Sequence, residues 1–568
     1  MLRKFIPVFI LLILPTLFAG AQNLNEIKND IYNERFETAK SNLDAMISSG
    51  DADPEAYYLL GEIWMKQKND KAAAEVLKKG LAYVAAKDIS EKKAPLVHIG
   101  WAHLLLNEGK TAEARQLMDE VLKAGKYKDA DALYAAGRAN VDSKNGDITW
   151  AVEILAKAIN RDKKNPFIYT AIADAYRKVI DGSNAVRYYD QALQADPSFA
   201  EAMYKKGKLY KSQNNPEVYM EKFRKAYEID SSYAPAIYEL YYYYFYKDVV
   251  TAKKYLDAYA LHAEPSVKLD YMRTDLLYVS QKYIEAVKSA VDILNIEKDS
   301  AQPRLYKLIA YSEASLGDSA AALKNIRLYF QKQQDSSIVA KDYELLAKLL
   351  EVSGDDKAEA VASYKKALEL EKDTTERIGY MASLADLQKE LGNREREAVW
   401  REQIYANKKK PSNLDLYKWG MALYSDANYQ KADSVFAIYE EKYPDQIYGP
   451  LWRSKCNALI DTAMTLGLAV PHYIKLVEVA AQDTVKNKEI MIRAYNYLGI
   501  YEANITKDYP ASLGYFEKIL TIDPENADAM KFSGILKGWI EKAGAEQTGK
   551  TTEPDKKNSS QPGTQSNN

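Results

Sequence analysis

The chain has 568 residues, with 78 Lys and Arg against 80 Asp and Glu and a formal net charge of -2, so no global basic field exists to condense on nucleic acid or anionic lipid. Composition does not separate into blocks as several independent cores would, and one continuous architecture is expected. Tyrosine dominates the aromatics, 45 against 12 Phe and 7 Trp, and a single cysteine, Cys456, cannot form an internal disulfide, so packing alone must hold the fold.

In chain order, Met1, Leu2, Arg3 and Lys4 form a positive start, Phe5 to Phe18 an apolar run, and Ala19-Gly20-Ala21 a small-residue site before Gln22. This is the pattern of a cleavable secretory signal over 1–21. The apolar run is too short to span a bilayer and contains Pro7 and Pro15. No later stretch reaches transmembrane length, and Cys456 lies far from the signal. The expected mature chain is therefore periplasmic, not a lipoprotein and not membrane-spanning.

After the signal, apolar residues recur at helical spacing in paired stripes. Tyr57, Leu60, Gly61, Trp64, Ala73 and Leu77 predict one helix pair, and Trp101, Ala102, Leu105, Ala114, Met118 and Val121 another. Leu133, Gly137, Ala151, Leu155 and Ala158 follow with a longer turn. Tyr169, Ile172, Ala173 and Tyr176 precede Ala185, Tyr189 and Ala192, with Pro197 closing the pair. Met203, Gly207, Tyr210, Phe223 and Ala226 continue in register, although Tyr219 stands where a small residue is expected. Register slips by about a residue near Tyr241. Later copies include Ile309, Ala310 and Ala322; Leu346, Ala347, Ala360, Tyr364 and Ala367; Leu384, Ala385 and Ala398; and Leu416, Trp419, Gly420, Leu423, Ala432, Phe436 and Tyr439 before Pro444. A longer unit runs from Pro450 to Ala480 with Gly467 and Pro471, and Leu498, Gly499, Phe516, Ile519 and Pro524 make the last. Asn526 to Lys542, with Met530, Ile535 and Trp539, reads as a terminal capping helix. Ala543 to Asn568 is polar and almost free of apolar residues, the composition of a disordered tail.

The windows 169–197 and 416–444 resemble the tetratricopeptide repeat (TPR): a large residue, a large-small pair and an aromatic on the first helix, then Ala, an aromatic and Pro, at a period of about 34 residues. Small residues such as Ala173 and Gly420 on the first helix, and Ala185 and Ala432 on the second, belong where the helices cross, and the proline sets the turn into the next unit. The resemblance implies an all-α fold, a right-handed α-α superhelical solenoid of about 13 to 14 TPR-like helix pairs with a C-terminal capping helix. Its parts are an N-terminal array over 22–265, a central degenerate array over 266–410, a C-terminal array and cap over 411–542, and the tail over 543–568.

No constellation of residues supports catalysis. Gly109-Lys110-Thr111 mimics the end of a phosphate-binding loop, but Leu104 stands where that loop needs glycine, and the triplet falls in a turn between helices. His98 and His103 are five apart, outside zinc-pair spacing, and His262 and His472 are isolated. No enzyme, metal site or cofactor is expected.

In TPR arrays the first helices line the concave face. Carried onto this sequence, the resemblance implies partner contacts at Thr170, Asp174, Arg177 and Lys178, then Tyr204, Lys205, Lys208 and Lys211, then Tyr238, Tyr242, Phe245 and Tyr246, with Tyr241 and Tyr244 on core positions. Tyr417, Met421 and Tyr424 form a second candidate patch. A basic stretch running into an aromatic one suits an extended peptide with acidic or C-terminal carboxylate groups and apolar side chains. Asp174 stands where the carboxylate clamp of chaperone-binding TPR domains has Asn. The tyrosine-rich helices, the signal and the segment Ala469-Val470-Pro471-His472-Tyr473 resemble exported TPR proteins of Bacteroidota, some associated with TonB-type energy transduction. The expected function is a non-enzymatic protein-protein interaction scaffold of the cell envelope, binding protein or peptide partners and no nucleic acid. The alternative is a glycan-binding module using exposed aromatics.

Overall fold

The computed structural model describes residues 23–548 apart from Asp51 and Asp355; the expected signal over 1–21 and the tail beyond Thr548 lie outside them. Among the described residues the chain forms twenty-nine α-helices and no strand, as fourteen consecutive pairs and a final helix. The chain divides into two compact units, the first ending at Leu308 and the second starting at Ile309.

The first unit opens with α1 (Leu24–Tyr32), α2 (Phe36–Ser48), α3 (Pro54–Lys66), α4 (Asp70–Ala86), α5 (Pro95–Asn107), α6 (Thr111–Ala124), α7 (Ala130–Asp142) and α8 (Ile148–Arg161). It continues with α9 (Pro166–Lys178), α10 (Gly182–Ala195), α11 (Ala200–Ser212), α12 (Pro216–Ile229), α13 (Ala234–Tyr244), α14 (Val249–His262), α15 (Val267–Val279) and α16 (Tyr283–Glu297). Odd-numbered helices are the first of each pair. Asp53, Asn69, Asp129, Asn165 and Asp181 cap their helices by accepting from backbone N–H groups of the first turn. Pro54, Pro95 and Pro166 occupy first helical positions, where no N–H is needed.

The turn inside a pair is repeated almost identically. Lys68, Gly109, Ile180, Asn214 and Gln281 each adopt positive φ, and the next residue donates its N–H back five positions, as Asn69 does to Trp64, Lys110 to Leu105 and Asp181 to Tyr176. This bond ends the first helix and reverses the chain into the second. Gly109-Lys110-Thr111 is thus a repeat turn, as its spacing indicates.

Pairs lock through one small-to-large contact. A Cβ on Gly207 would lie 2.5 Å from the Phe223 ring, one on Gly137 2.5 Å from Leu155, and one on Gly61 2.8 Å from Leu77. In the fifth pair Ala173 and Tyr189 occupy these positions, both fully buried. Tyr219 is half-buried beside Phe223, with ring centroids 5.8 Å apart.

The second unit repeats the scheme. A Cβ on Gly420 would lie 2.5 Å from the Phe436 ring and one on Gly499 2.8 Å from the Phe516 ring. The longer turn after Tyr448–Ile460 is held by the Asp461 carboxylate, which accepts from the N–H groups of Leu466 and Leu468. The final helix spans Ala527–Thr548, past Lys542. Its Ala529 and Leu536 cover Phe516 and Ile519, while Met530, Ile535 and Trp539, the residues that mark it in the sequence, are 50%, 39% and 44% exposed. No helix among the described residues is long and apolar enough to cross a membrane.

Candidate functional site

The first unit closes on itself. Arg35, at the N-cap of α2, offers no side-chain cap. Glu264, just after α14, supplies it instead: its carboxylate accepts from the N–H groups of Glu37 and Thr38 at 2.8 and 2.6 Å and from the Thr38 hydroxyl at 2.8 Å. At the end of α1, Tyr32 enters an aromatic cluster from distant repeats, with ring centroids 4.8 Å from Tyr233, 5.8 Å from Phe199 and 6.3 Å from Phe167. The α1–α2 hairpin therefore clasps the seventh pair.

Within this closure lies a half-open chamber of about 1080 Å³, lined largely by first-helix side chains of successive repeats. They include Tyr32 from α1, Tyr58 and Glu62 from α3, His103 from α5, Tyr134 and Arg138 from α7 and Thr170 from α9. A ladder of alternating charge runs along its wall. The Glu62 carboxylate is 2.9 Å from Nδ1 of the buried His103, and although burial works against a charged imidazole, Glu62 raises its pKa above the ordinary value. Arg138 donates to Asp142 and Asp174, both at 2.7 Å. Asp174 also receives Lys205 at 2.7 Å and the Tyr189 hydroxyl at 2.6 Å. Burial alone would raise the Asp174 carboxyl, but Lys205 and Arg138 hold it well below the usual carboxylate range.

The ladder revises the expected contact surface. Lys205 is shared between Asp174 and Glu201, and Lys208 and Lys211 both pair with the buried Glu239, at 2.9 and 2.5 Å. Lys178 donates to the Val141 and Ser143 carbonyls, tying α9 to the end of α7. The lysines that read as a basic strip are thus compensated within the chain and are poor anchors for an acidic peptide. Phe245 is core, 7% exposed, rather than a contact residue, because it packs beside Tyr241 and Leu269. Tyr204 is half-buried against Phe223 and Tyr233, and Tyr238 lies between Tyr242 and Tyr259 under the Lys268 ammonium. Arg177, Tyr242 and Tyr246 remain exposed. Tyr417, Met421 and Tyr424 are half-buried against the next pair, Tyr424 lying 4.9 Å from Trp452. The second patch is therefore largely an inter-repeat joint.

Sequence reasoning missed Tyr32, Tyr58, Tyr134 and Glu264. Two had a signal. Tyr58 and Tyr134 each follow a first-helix core residue, Tyr57 and Leu133, by one position, the relation that singles out Tyr204 after Met203 and Tyr417 after Leu416. For Glu264 the signal was weaker: the start of α2 lacks a capping residue of its own.

Residues 24–87, 99–166 and 170–234 match the model of the tetratricopeptide repeat. Among solved structures, the chain is similar to the C-terminal part of a TPR repeat-containing protein from Cytophaga hutchinsonii, with 28% identity, 46% of this chain and 98% of that one covered, and a TM-score of 0.31. A tetratricopeptide repeat protein from Parabacteroides merdae aligns at 18% identity over 50% of this chain and 95% of that one, with a TM-score of 0.21. Yeast Tom70 aligns at 14% over 72% and 95%, with a TM-score of 0.28. Over these three stretches the chain matches tetratricopeptide repeats, and the paired helices, the recurring turn and the small-to-large contact within each pair agree with that match.

Proposed function

We propose that this protein is an exported, non-enzymatic interaction scaffold of the bacterial cell envelope that holds a partner polypeptide in the chamber of its first unit. TPR arrays are protein-interaction folds, and stacked repeats create extended concave surfaces for that use. The chamber of about 1080 Å³ carries the reading, because repeat after repeat turns aromatic and charged side chains into one concave space. The positive, apolar and small-residue pattern over 1–21 supports export to the periplasm. Support of outer-membrane transport of the TonB type, or of envelope assembly, is the process to which such a scaffold would contribute. Exposed Tyr242 and Tyr246 provide a second surface for a further partner.

Tyr58 and Tyr134 beside Glu62 also form an arrangement that takes a sugar ring, which favours a polysaccharide as the second reading. Capture from envelope extracts separates the two, using wild type, the Tyr58→Ala/Tyr134→Ala variant and the Tyr242→Ala/Tyr246→Ala variant. Loss of a defined protein from the chamber variant supports the scaffold. Unchanged protein capture with lost polysaccharide retention replaces it with the glycan reading. N-terminal sequencing of the exported chain is expected to begin at Gln22, and an intact Met1 on the envelope-located protein would overturn the export reading.

A further inference from the structure

We propose that the chamber accepts a lysine or arginine side chain from a basic polypeptide segment, at a place bounded by the Tyr58 and Tyr134 phenols and the Asp131 carboxylate. The inference rests on the scaffold reading and adds the chemistry of the guest.

The first observation is that two aromatic side chains in the lining make no hydrogen bond or ring contact. Tyr32 stacks among Phe167, Phe199 and Tyr233, and Phe36 carries the Lys66 ammonium 4.7 Å from its ring centre. Tyr58 and Tyr134 differ: among the described residues neither hydroxyl has a hydrogen-bond partner and neither ring stacks on another ring or carries a cation over its face, although Arg138, one turn further along α7, and Lys205 act electrostatically on the Tyr134 phenol. The edge of the Tyr58 ring rests on α5, where a Cβ on Gly100 would lie 3.1 Å away, and the side chain lines the chamber. Burial pushes the Tyr134 phenol up to about 12, leaving it neutral and able to accept from an ammonium or guanidinium.

The second observation is the distribution of charge. The lining holds seven carboxylates against five lysine and arginine side chains. Of those five, Lys28 is paired with Glu55 at 2.8 Å, Arg138 with Asp142 and Asp174, and Lys66 lies over Phe36. Lys68 and Lys144 stand at the mouth where α3 and α7 end, among Glu34 and Asp70. At the opposite mouth, where α3, α7 and α11 begin, Glu55, Asp131 and Glu201 gather with Tyr134. Asp131 makes no ion pair there, and the surrounding wall and Asp129 beside it raise its carboxyl pKa against the pull of Lys28, whose ammonium is taken by Glu55. An incoming cation would relieve that cost, gain the two phenol oxygens as acceptors and find aromatic faces alongside.

The test is fluorescence anisotropy with the full exported chain at about 0.15 M salt, using labelled short peptides in which alanine alternates with lysine, glutamine or glutamate. The lysine peptide is expected to bind saturably and the glutamate peptide not to bind. The conservative Tyr58→Phe/Tyr134→Phe variant should weaken the lysine peptide about tenfold, and Asp131→Asn should weaken it several-fold. Asp44→Asn on the exposed face of α2 should leave it unchanged. Far-ultraviolet circular dichroism checks that each variant is folded. Equal binding of the glutamine or glutamate peptide, or lysine-peptide binding indifferent to the three chamber substitutions, overturns the proposal. Failure of every peptide to bind also overturns it, while the capture experiment, which uses native partners, judges the scaffold reading separately.

Discussion

Asp174 is the residue on which the concave wall turns. Three donors from three other helices, Arg138, Lys205 and Tyr189, converge on its carboxylate. Removing the charge leaves Arg138 with Asp142 alone and Lys205 with Glu201 alone, so Asp174→Asn should cost about 1 to 3 kcal/mol, read as a shift in the urea midpoint. The sign with pH follows from the lowered carboxyl pKa: the stabilisation is present above the unfolded value of about 4 and is lost as pH falls through the lower folded value. The gap between wild type and variant should therefore narrow below about pH 4. A different physics governs Gly420, where a methyl group would meet the Phe436 ring at 2.5 Å. Gly420→Ala, stabilising in an ordinary helix, should here destabilise by about 1 to 3 kcal/mol, measured by thermal unfolding. A neutral or stabilising outcome would show that the second helix shifts freely against the first.

At the scale of elements, α2 shows how far a helix can reach for its cap. Its first turn begins Phe36, Glu37, Thr38 after Arg35, with no Ser, Thr, Asp or Asn in the capping position. The free N–H groups are met by Glu264, more than two hundred residues on, where the positive end of the helix dipole adds to the hydrogen bonds. Glu264→Ala should cost about 1 to 2 kcal/mol and raise hydrogen exchange in α1 and α2 specifically. Uniform exchange across the first unit would argue against a clasp that opens locally. The paired helices themselves were legible because several turns carry their own punctuation: Gly109 and Asn214 take the positive-φ position, and Asn69, Asp181 and Asn215 cap the second helices of their pairs. Ile180 at φ 66 was not, since a β-branched residue disfavours that conformation and only the conserved geometry of the turn imposes it.

For the whole molecule, closure changes what a deletion does. In a simple array each repeat touches its neighbours, and removal of the pair Pro166 to Asp196 would lower stability while leaving the rest folded. Here the deletion also removes Phe167 from the Tyr32 cluster and changes the distance over which Glu264 must reach α2. The expected result is a folded, helical protein in which Glu264→Ala has no further effect, the 1 to 2 kcal/mol of about one cap having already been lost with closure. An unchanged cost of Glu264→Ala in the deletion background would mean that the clasp survives without the fifth pair.

The sequence by itself determined the repeat: 3.6-residue periodicity, small residues opposite large ones and a turn signal in each unit are local facts, and local facts persist whatever the array does at longer range. It also carried the place of Tyr58 and Tyr134, one position past a core residue on a first helix. Which basic residues are available could not be read in this way, because Lys208 and Lys211 are silenced by Glu239 from the following pair, and Lys205 by Asp174 from the preceding one. Nor could the chamber. Its existence depends on the small rotation from each pair to the next, summed until α1 and α2 meet the residues after α14, and only the tertiary structure contains that sum.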